Sequence, residues 1–201
     1  KIVIYGGQGS LDKVTATLDA VTTTSATTGE FVMSGVETLE VGSLTSSAGT
    51  GTNTVNLAKV TGLENILLTD GAGTADAVTV SGIGSEVIKL GTGSDEFTGS
   101  ATLTLTSVTG ATDVLDVHLV DTDGTGSADT ITADGVETIN LTAIGDGTSS
   151  SGEDHKIAIA NTNSNDVTVN IIGTDDDTTV ELTSIAASVT SVNATGFAST
   201  L

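Results

Sequence analysis

Cysteine and proline are both absent from the 201 residues, and aromatic residues make up only 2% of them. Without Cys no disulfide staples the fold; this leaves the compartment open, because many bacterial surface proteins are also cysteine-free. Without Pro no strand is interrupted by a missing amide donor. With so few aromatics any core must be built from Val, Ile, Leu and Ala, which suits thin stacked layers better than a thick globular interior. Long apolar runs are missing too: no stretch approaches the ~20 residues of a transmembrane helix. The opening Lys1-Ile2-Val3-Ile4-Tyr5 is shorter than the roughly 7–15 apolar residues of a signal-peptide core. A first residue other than Met and an abrupt stop at Leu201 are expected of a piece excised from a longer protein.

Basic residues are the last scarcity. Five Lys+Arg stand against 26 Asp+Glu, a formal charge of −21. A surface this acidic repels phosphate backbones and anionic lipid, which excludes nucleic-acid binding and membrane insertion as expectations. It also repels itself, and divalent cations are the natural remedy, since carboxylate and carbonyl oxygens are the donors Ca²⁺ selects. Only 15% of residues are charged and Val and Ile are plentiful, so the chain does not read as a disordered acidic tail.

What the sequence does have is a recurring phrase. Gly35-Val36-Glu37-Thr38-Leu39-Glu40-Val41 returns as Gly62-Leu63-Glu64-Asn65-Ile66-Leu67-Leu68 and as Gly135-Val136-Glu137-Thr138-Ile139-Asn140-Leu141, with a looser copy at Gly84–Leu90. Self-similarity of this kind marks stacked units. Around it lie short runs of period two, such as Val14, Ala16 and Leu18 against Thr15, Thr17 and Asp19. Between residues 54 and 91 the unit is 20–23 residues long, two strands with Gly-rich corners. The expectation is an all-β chain, a parallel β-solenoid or β-roll-like stack of short strands. Residues 1–144 form its repeat region, 145–156 an exposed acidic loop, and 157–201 a continuation or a small second β domain, with an antiparallel sandwich as the alternative there. Leu182–Val192 is the one stretch that could instead be helical. In-register stacking would place Val36, Leu63 and Val136 in one apolar column. Stacked Glu37, Glu64 and Glu137 would repel one another unless they lie at a corner, cap backbone amides or share a cation.

Candidate chemistry lies at the Gly-Asp turns. Gly91-Thr92-Gly93-Ser94-Asp95-Glu96-Phe97 fits G-x-G-x-D-x-U, most of the calcium-binding nonapeptide of the parallel β-roll. The glycines permit the tight turn and Asp95 supplies a carboxylate. Gly7–Asp12, Gly71–Asp76 and Gly124–Asp129 repeat the idea, each as a separate copy. Asp121, Asp123 and Asp129 crowd three carboxylates around two glycines, like the opening of a D-x-D-G calcium loop without its closing Glu. The expected Ca²⁺ ligands are therefore Asp12, Asp76, Gly91, Gly93, Asp95, Asp121, Asp123 and Asp129; Asp175–Asp177 reads as a solvated loop tip. For catalysis the yield is poor. His118 lies in a strand run and His155 in a polar loop, no G-x-S-x-G elbow is present, and paired acids for glycoside hydrolysis lack a sugar-stacking aromatic platform. No enzyme is expected.

Gly6-Gly7-Gln8-Gly9 with Asp12, followed by Ser34-Gly35-Val36-Glu37-Thr38-Leu39, resembles the repeat body of RTX-type surface-layer proteins of Gram-negative bacteria. So do Asp129-Thr130-Ile131-Thr132 with the phrase at 135–141, and Ser188–Gly196. The resemblance implies a type I-secreted, calcium-dependent structural protein whose copies form a lattice on the cell surface, with polysaccharide contacts made by regions outside this fragment. It carries the family's ion ligands onto Asp12, Gly91, Gly93, Asp95 and Asp129. The chain departs from the family in having no tandem nonapeptide array and no visible C-terminal secretion signal. A stalk domain of a large RTX adhesin is the alternative, and an extracellular polysaccharide-active enzyme a distant one.

Overall fold

The computed structural model describes residues 2–7, 9, 11–20, 27–45, 52–70, 76–92, 96–108, 112–122, 128–144, 154–160, 166–174 and 178–196. All regular structure among them is β, and the chain coils so that each coil gives one strand to each of two sheets. The first coil holds β1 (Ile2–Tyr5) and β2 (Lys13–Ala20), the second β3 (Thr27–Ser34) and β4 (Thr38–Thr45). The third holds β5 (Thr52–Asn56), the short β6 (Val60–Thr61) and β7 (Asn65–Asp70), the fourth β8 (Asp76–Ile83) and β9 (Val87–Leu90). Next come β10 (Gly99–Leu105) with β11 (Val114–Leu119), and β12 (Asp129–Asp134) with β13 (Thr138–Ala143). β14 (Asp154–Ala160) with β15 (Val167–Gly173), and β16 (Thr179–Ile185) with β17 (Val189–Thr195), complete the stack.

The first sheet runs β1-β3-β5-β8-β10-β12-β14-β16, with β6 beside β3; the second runs β2-β4-β7-β9-β11-β13-β15-β17. Every pairing is parallel. The fold is the expected β-solenoid. It continues through the C-terminal stretch: β14–β17 extend the same two parallel sheets, which corrects the antiparallel alternative for 157–201 and the helical one for Leu182–Val192.

The core lies between the sheets. Burial alternates along the strands, with Ile131 and Ala133 of β12 facing Ile139 and Leu141 of β13 across a thin interior. One column of the second sheet passes through Leu39, Ile66, Ile88, Val117, Leu141 and Ile171. Burying each such aliphatic side chain contributes about 1.5–3 kcal/mol, so the stack is held by many modest, similar increments. Phe97, the largest side chain in it, plugs the corner between β9 and β10 at 1% exposure.

The same column fixes the period. Ile66 to Ile88 is 22 residues, but Ile88 to Val117 is 29 and Leu141 to Ile171 is 30. The unit of 20–23 residues holds only in the middle of the chain, because the corners absorb insertions that the strands cannot. The phrase itself also slips. Leu39, Ile66 and Ile88 are its fifth residues and align, yet the column continues to Leu141, the seventh residue of the last copy. Val36 and Leu63 therefore share a corner in adjacent coils, whereas Val136 is displaced by two positions, a correction to the expected three-residue column. A displacement of two preserves the strand's alternation, so the apolar set stays inside.

Candidate functional site

The solenoid has two edges, and the sequence features separate onto them. Where the first sheet passes to the second, the corners carry the Gly-Val-Glu phrase. Gly35, Gly62 and Gly135 adopt φ of 65°, 85° and 82°, the left-handed region that favours glycine. In the looser copy that conformation is at Gly82, φ 80°, two residues before Gly84.

The glutamate has a defined task there. Glu37 Oε2 accepts a hydrogen bond from the Asp12 amide at 2.8 Å, while the Asp12 carbonyl accepts from the amides of Glu37 and Thr38 at 3.1 Å. Glu137 repeats this against Asp113, whose amide lies 3.0 Å from its Oε2 and whose carbonyl takes the Glu137 and Thr138 amides at 3.1 Å. In both cases a carboxylate satisfies a corner amide of the preceding coil, which the ladder leaves over. Glu86 turns back on its own corner and accepts from Gly84 at 2.5 Å, and Glu64 is exposed. Asp12 belongs to this edge too: its Oδ2 accepts from the Gly7 amide at 2.8 Å and closes the Gly-rich first corner.

The opposite edge, where the second sheet returns to the first, gathers the other expected ligands. Asp76, Gly91 with Asp121, and Asp129 fall at the ends of three consecutive corners: β7 to β8, β9 to β10 and β11 to β12. Gly93, Asp95 and Asp123 belong to the same corners in sequence and lie outside the described residues. The described ends of three of these turns, separate copies along the chain, thus lie in consecutive coils at one edge. Gly91 (φ 78°) sits so close to the next corner that an added Cβ would lie 2.0 Å from the Asp121 carbonyl oxygen. The amides of Val120 and Asp121 both donate to the Leu90 carbonyl, at 3.0 and 3.1 Å, and Phe97 donates to the Asp121 carbonyl at 2.8 Å. Asp129 Oδ1 accepts from the Gly99 amide at 2.6 Å, and its side chain is buried. Gly99 pairs with Asp76 on its other side, so Asp76, Gly99 and Asp129 occupy one register column, the two aspartates two strand spacings, about 9.6 Å, apart. Asp12 is separated from this group by the width of the sheets.

The donor types that the sequence places at this edge, carboxylates and turn carbonyls, are those a hard cation takes. Among the described residues no three His, Cys, Asp or Glu side chains are grouped to hold a metal; several of the corner acids lie outside them.

Two histidine environments were not foreseen. His155 is in β14, not in a loop, and is 1% exposed. Its Nδ1 and the Thr122 Oγ1 share a buried hydrogen bond of 2.8 Å. The alternation His155, Ile157, Ile159 was the signal for an inward-facing position. His118 faces outward from β11 beside Lys89 of β9, and its pKa is lowered, first by partial burial and then by the Lys89 charge, against an opposing pull from Asp116. Comparison with family models, with curated proteins and with solved structures finds no match for this chain.

Proposed function

We propose that this chain is a structural segment of an extracellular surface layer, exported by the type I route and self-assembling into a calcium-stabilised lattice. The observation that carries the reading is that Asp76, Gly91, Asp121 and Asp129, the described ends of these acidic corners, fall in consecutive coils along one edge. Asp76, Asp95, Asp121, Asp123 and Asp129, with the carbonyls of Gly91 and Gly93, would hold Ca²⁺ there. The ion supplies charge neutralisation between successive coils and, at the surface, a bridge between copies. A stalk domain of a large adhesin is the second reading, favoured by the continuous ladder from β1 and β2 to β16 and β17, a form that suits a spacer. The reading includes no catalytic step.

Thermal melting with added Ca²⁺ and with EGTA tests the ion. Binding to the folded state raises Tm with the free ion concentration by mass action. An unchanged melt removes calcium from the proposal. Electron microscopy of concentrated protein with Ca²⁺ tests the lattice: ordered two-dimensional arrays are expected, and a protein that stays monomeric refutes assembly.

A further inference from the structure

The outer face of the first sheet carries a two-dimensional grid of hydroxyl groups. Thr54, Thr79, Thr102 and Thr132 lie in one unbroken column across β5, β8, β10 and β12, and Thr28 of β3 precedes them in register. Beside it run Ala77, Ser100, Thr130 and Ala158 on one flank and Asn56, Ser81 and Thr104 on the other. Repeats are about 4.8 Å across the strands and about 6.6 Å along them. From Thr54 to Thr104 the ladder has no bulge; the shift in β10 comes after Thr104. The column's four described threonines are partly exposed, each flanked by its neighbours. β-Branched χ1 restriction then holds each methyl and hydroxyl in a fixed direction.

Thr-rich composition does not by itself account for the grid, because the other sheet supplies an internal comparison. Its outer face carries Lys13 paired with Glu40, then Leu67, Lys89, Asp116 and His118. It also carries a ladder in which Asn193 donates to Asn170, Asn170 to Asn140 and Asn140 to Asp116, at 3.0, 2.8 and 2.7 Å. In a chain of net charge −21, the interior of the first-sheet grid bears no charge; Asp134 and Lys156, and in register Glu30 and Glu181, lie at its margin.

We propose that this face binds ice. The grid offers what a neutral periodic solid of water requires: hydroxyls that donate and accept at lattice-like repeats, with methyls between them that hold further waters in place. Rigidity removes the ordering penalty from the protein side. Competing occupants fit less well. A protein partner would desolvate the hydroxyls in return for little apolar area, a crystalline polysaccharide is gripped by aromatic platforms that the grid strands β5, β8, β10 and β12 lack, and ions find no opposite charge. The inference stands apart from the surface-layer reading and does not depend on calcium.

Thermal hysteresis and partition into a slowly growing ice front read it out, on protein whose β fold is checked by circular dichroism. The expected result is hysteresis that grows with concentration and enrichment in the ice. Both are lost in T79K/T102K and kept in T142K on the outer face of the second sheet. If the lysine pair does not fold, T79S/T102S asks the same question by removing the methyls: loss supports the proposal and full retention overturns it. It is also overturned by folded wild-type protein that gives no hysteresis and is excluded from ice. Retention on crystalline cellulose or chitin, or Thr102-dependent dimerisation, in the absence of hysteresis would assign the face to another occupant.

Discussion

Replacing Glu37 separates two roles for the phrase's glutamate. The carboxylate caps the Asp12 amide across a coil boundary at 2.8 Å. A hydrogen bond to a charged acceptor contributes about 1.5–3 kcal/mol, and an orphaned buried amide costs about 1–3 kcal/mol. This corner is only part-buried, so water recovers some of the loss, and E37A should destabilise by about 1–2 kcal/mol. For a chain of this length each kcal/mol lowers Tm by about 2–4 °C, giving a fall of about 2–8 °C. E37Q keeps an acceptor oxygen of the same reach and should lose about half as much or less. E137A should match E37A, because Glu137 makes the same bond to Asp113. E64A should lie within about 0.5 kcal/mol of wild type, since Glu64 is an exposed corner residue. The assay is thermal melting by circular dichroism, repeated in EGTA. Capping is refuted if E37Q falls as far as E37A and both deficits vanish in EGTA, for that is the pattern of a shared cation.

Three further outcomes follow from the packing. G91A should destabilise more than G35A: both residues have positive φ, but only at Gly91 would the new Cβ strike backbone, 2.0 Å from the Asp121 oxygen against 3.5 Å from the Gly7 oxygen at Gly35. Equal urea midpoints would contradict this. I88A, in a fully buried column, should cost about 2–5 kcal/mol, whereas V192A at 43% exposure should cost about 0.5 kcal/mol or less; chemical denaturation measures both. The lowered pKa of His118 means that the unfolded chain takes up a proton before the folded one does. Stability should therefore fall as pH drops through about 6.5 and level off below the folded-state pKa. H118Q should remove that slope, and an unchanged pH profile would show that another group carries it.

Much of the fold was legible because the signals that specify it are local. A chain without Cys, Pro or many aromatics, alternating with period two and returning to one phrase, has few ways to bury its Val, Ile and Leu other than as stacked thin layers. The glycine of the phrase was readable as a corner for the same reason: three of the four copies depend on it for a left-handed turn. Register was not legible. The phrase suggests that Val136 should follow Val36 and Leu63, but pairing is decided by side-chain burial summed over whole strands, and a slip of two leaves every apolar residue inside. Sequence similarity cannot detect a displacement that the core does not penalise. His155 was misplaced because the polar residues before it outweighed an alternation of only three positions.

The residues alone thus determined the secondary structure, the parallel stacking and the acidic character, since these depend on composition and near-neighbour pattern. Tertiary structure decided what lies beside what. It brought the described ends of acidic corners 20 to 30 residues apart in sequence onto one edge and gave Glu37 and Glu137 their amides in the preceding coil. It also assembled single threonines from separate strands into one grid. The physical reason is the coil itself: each circuit places a residue next to one that is 22 to 30 positions away, and insertions at the corners set that distance separately for every coil.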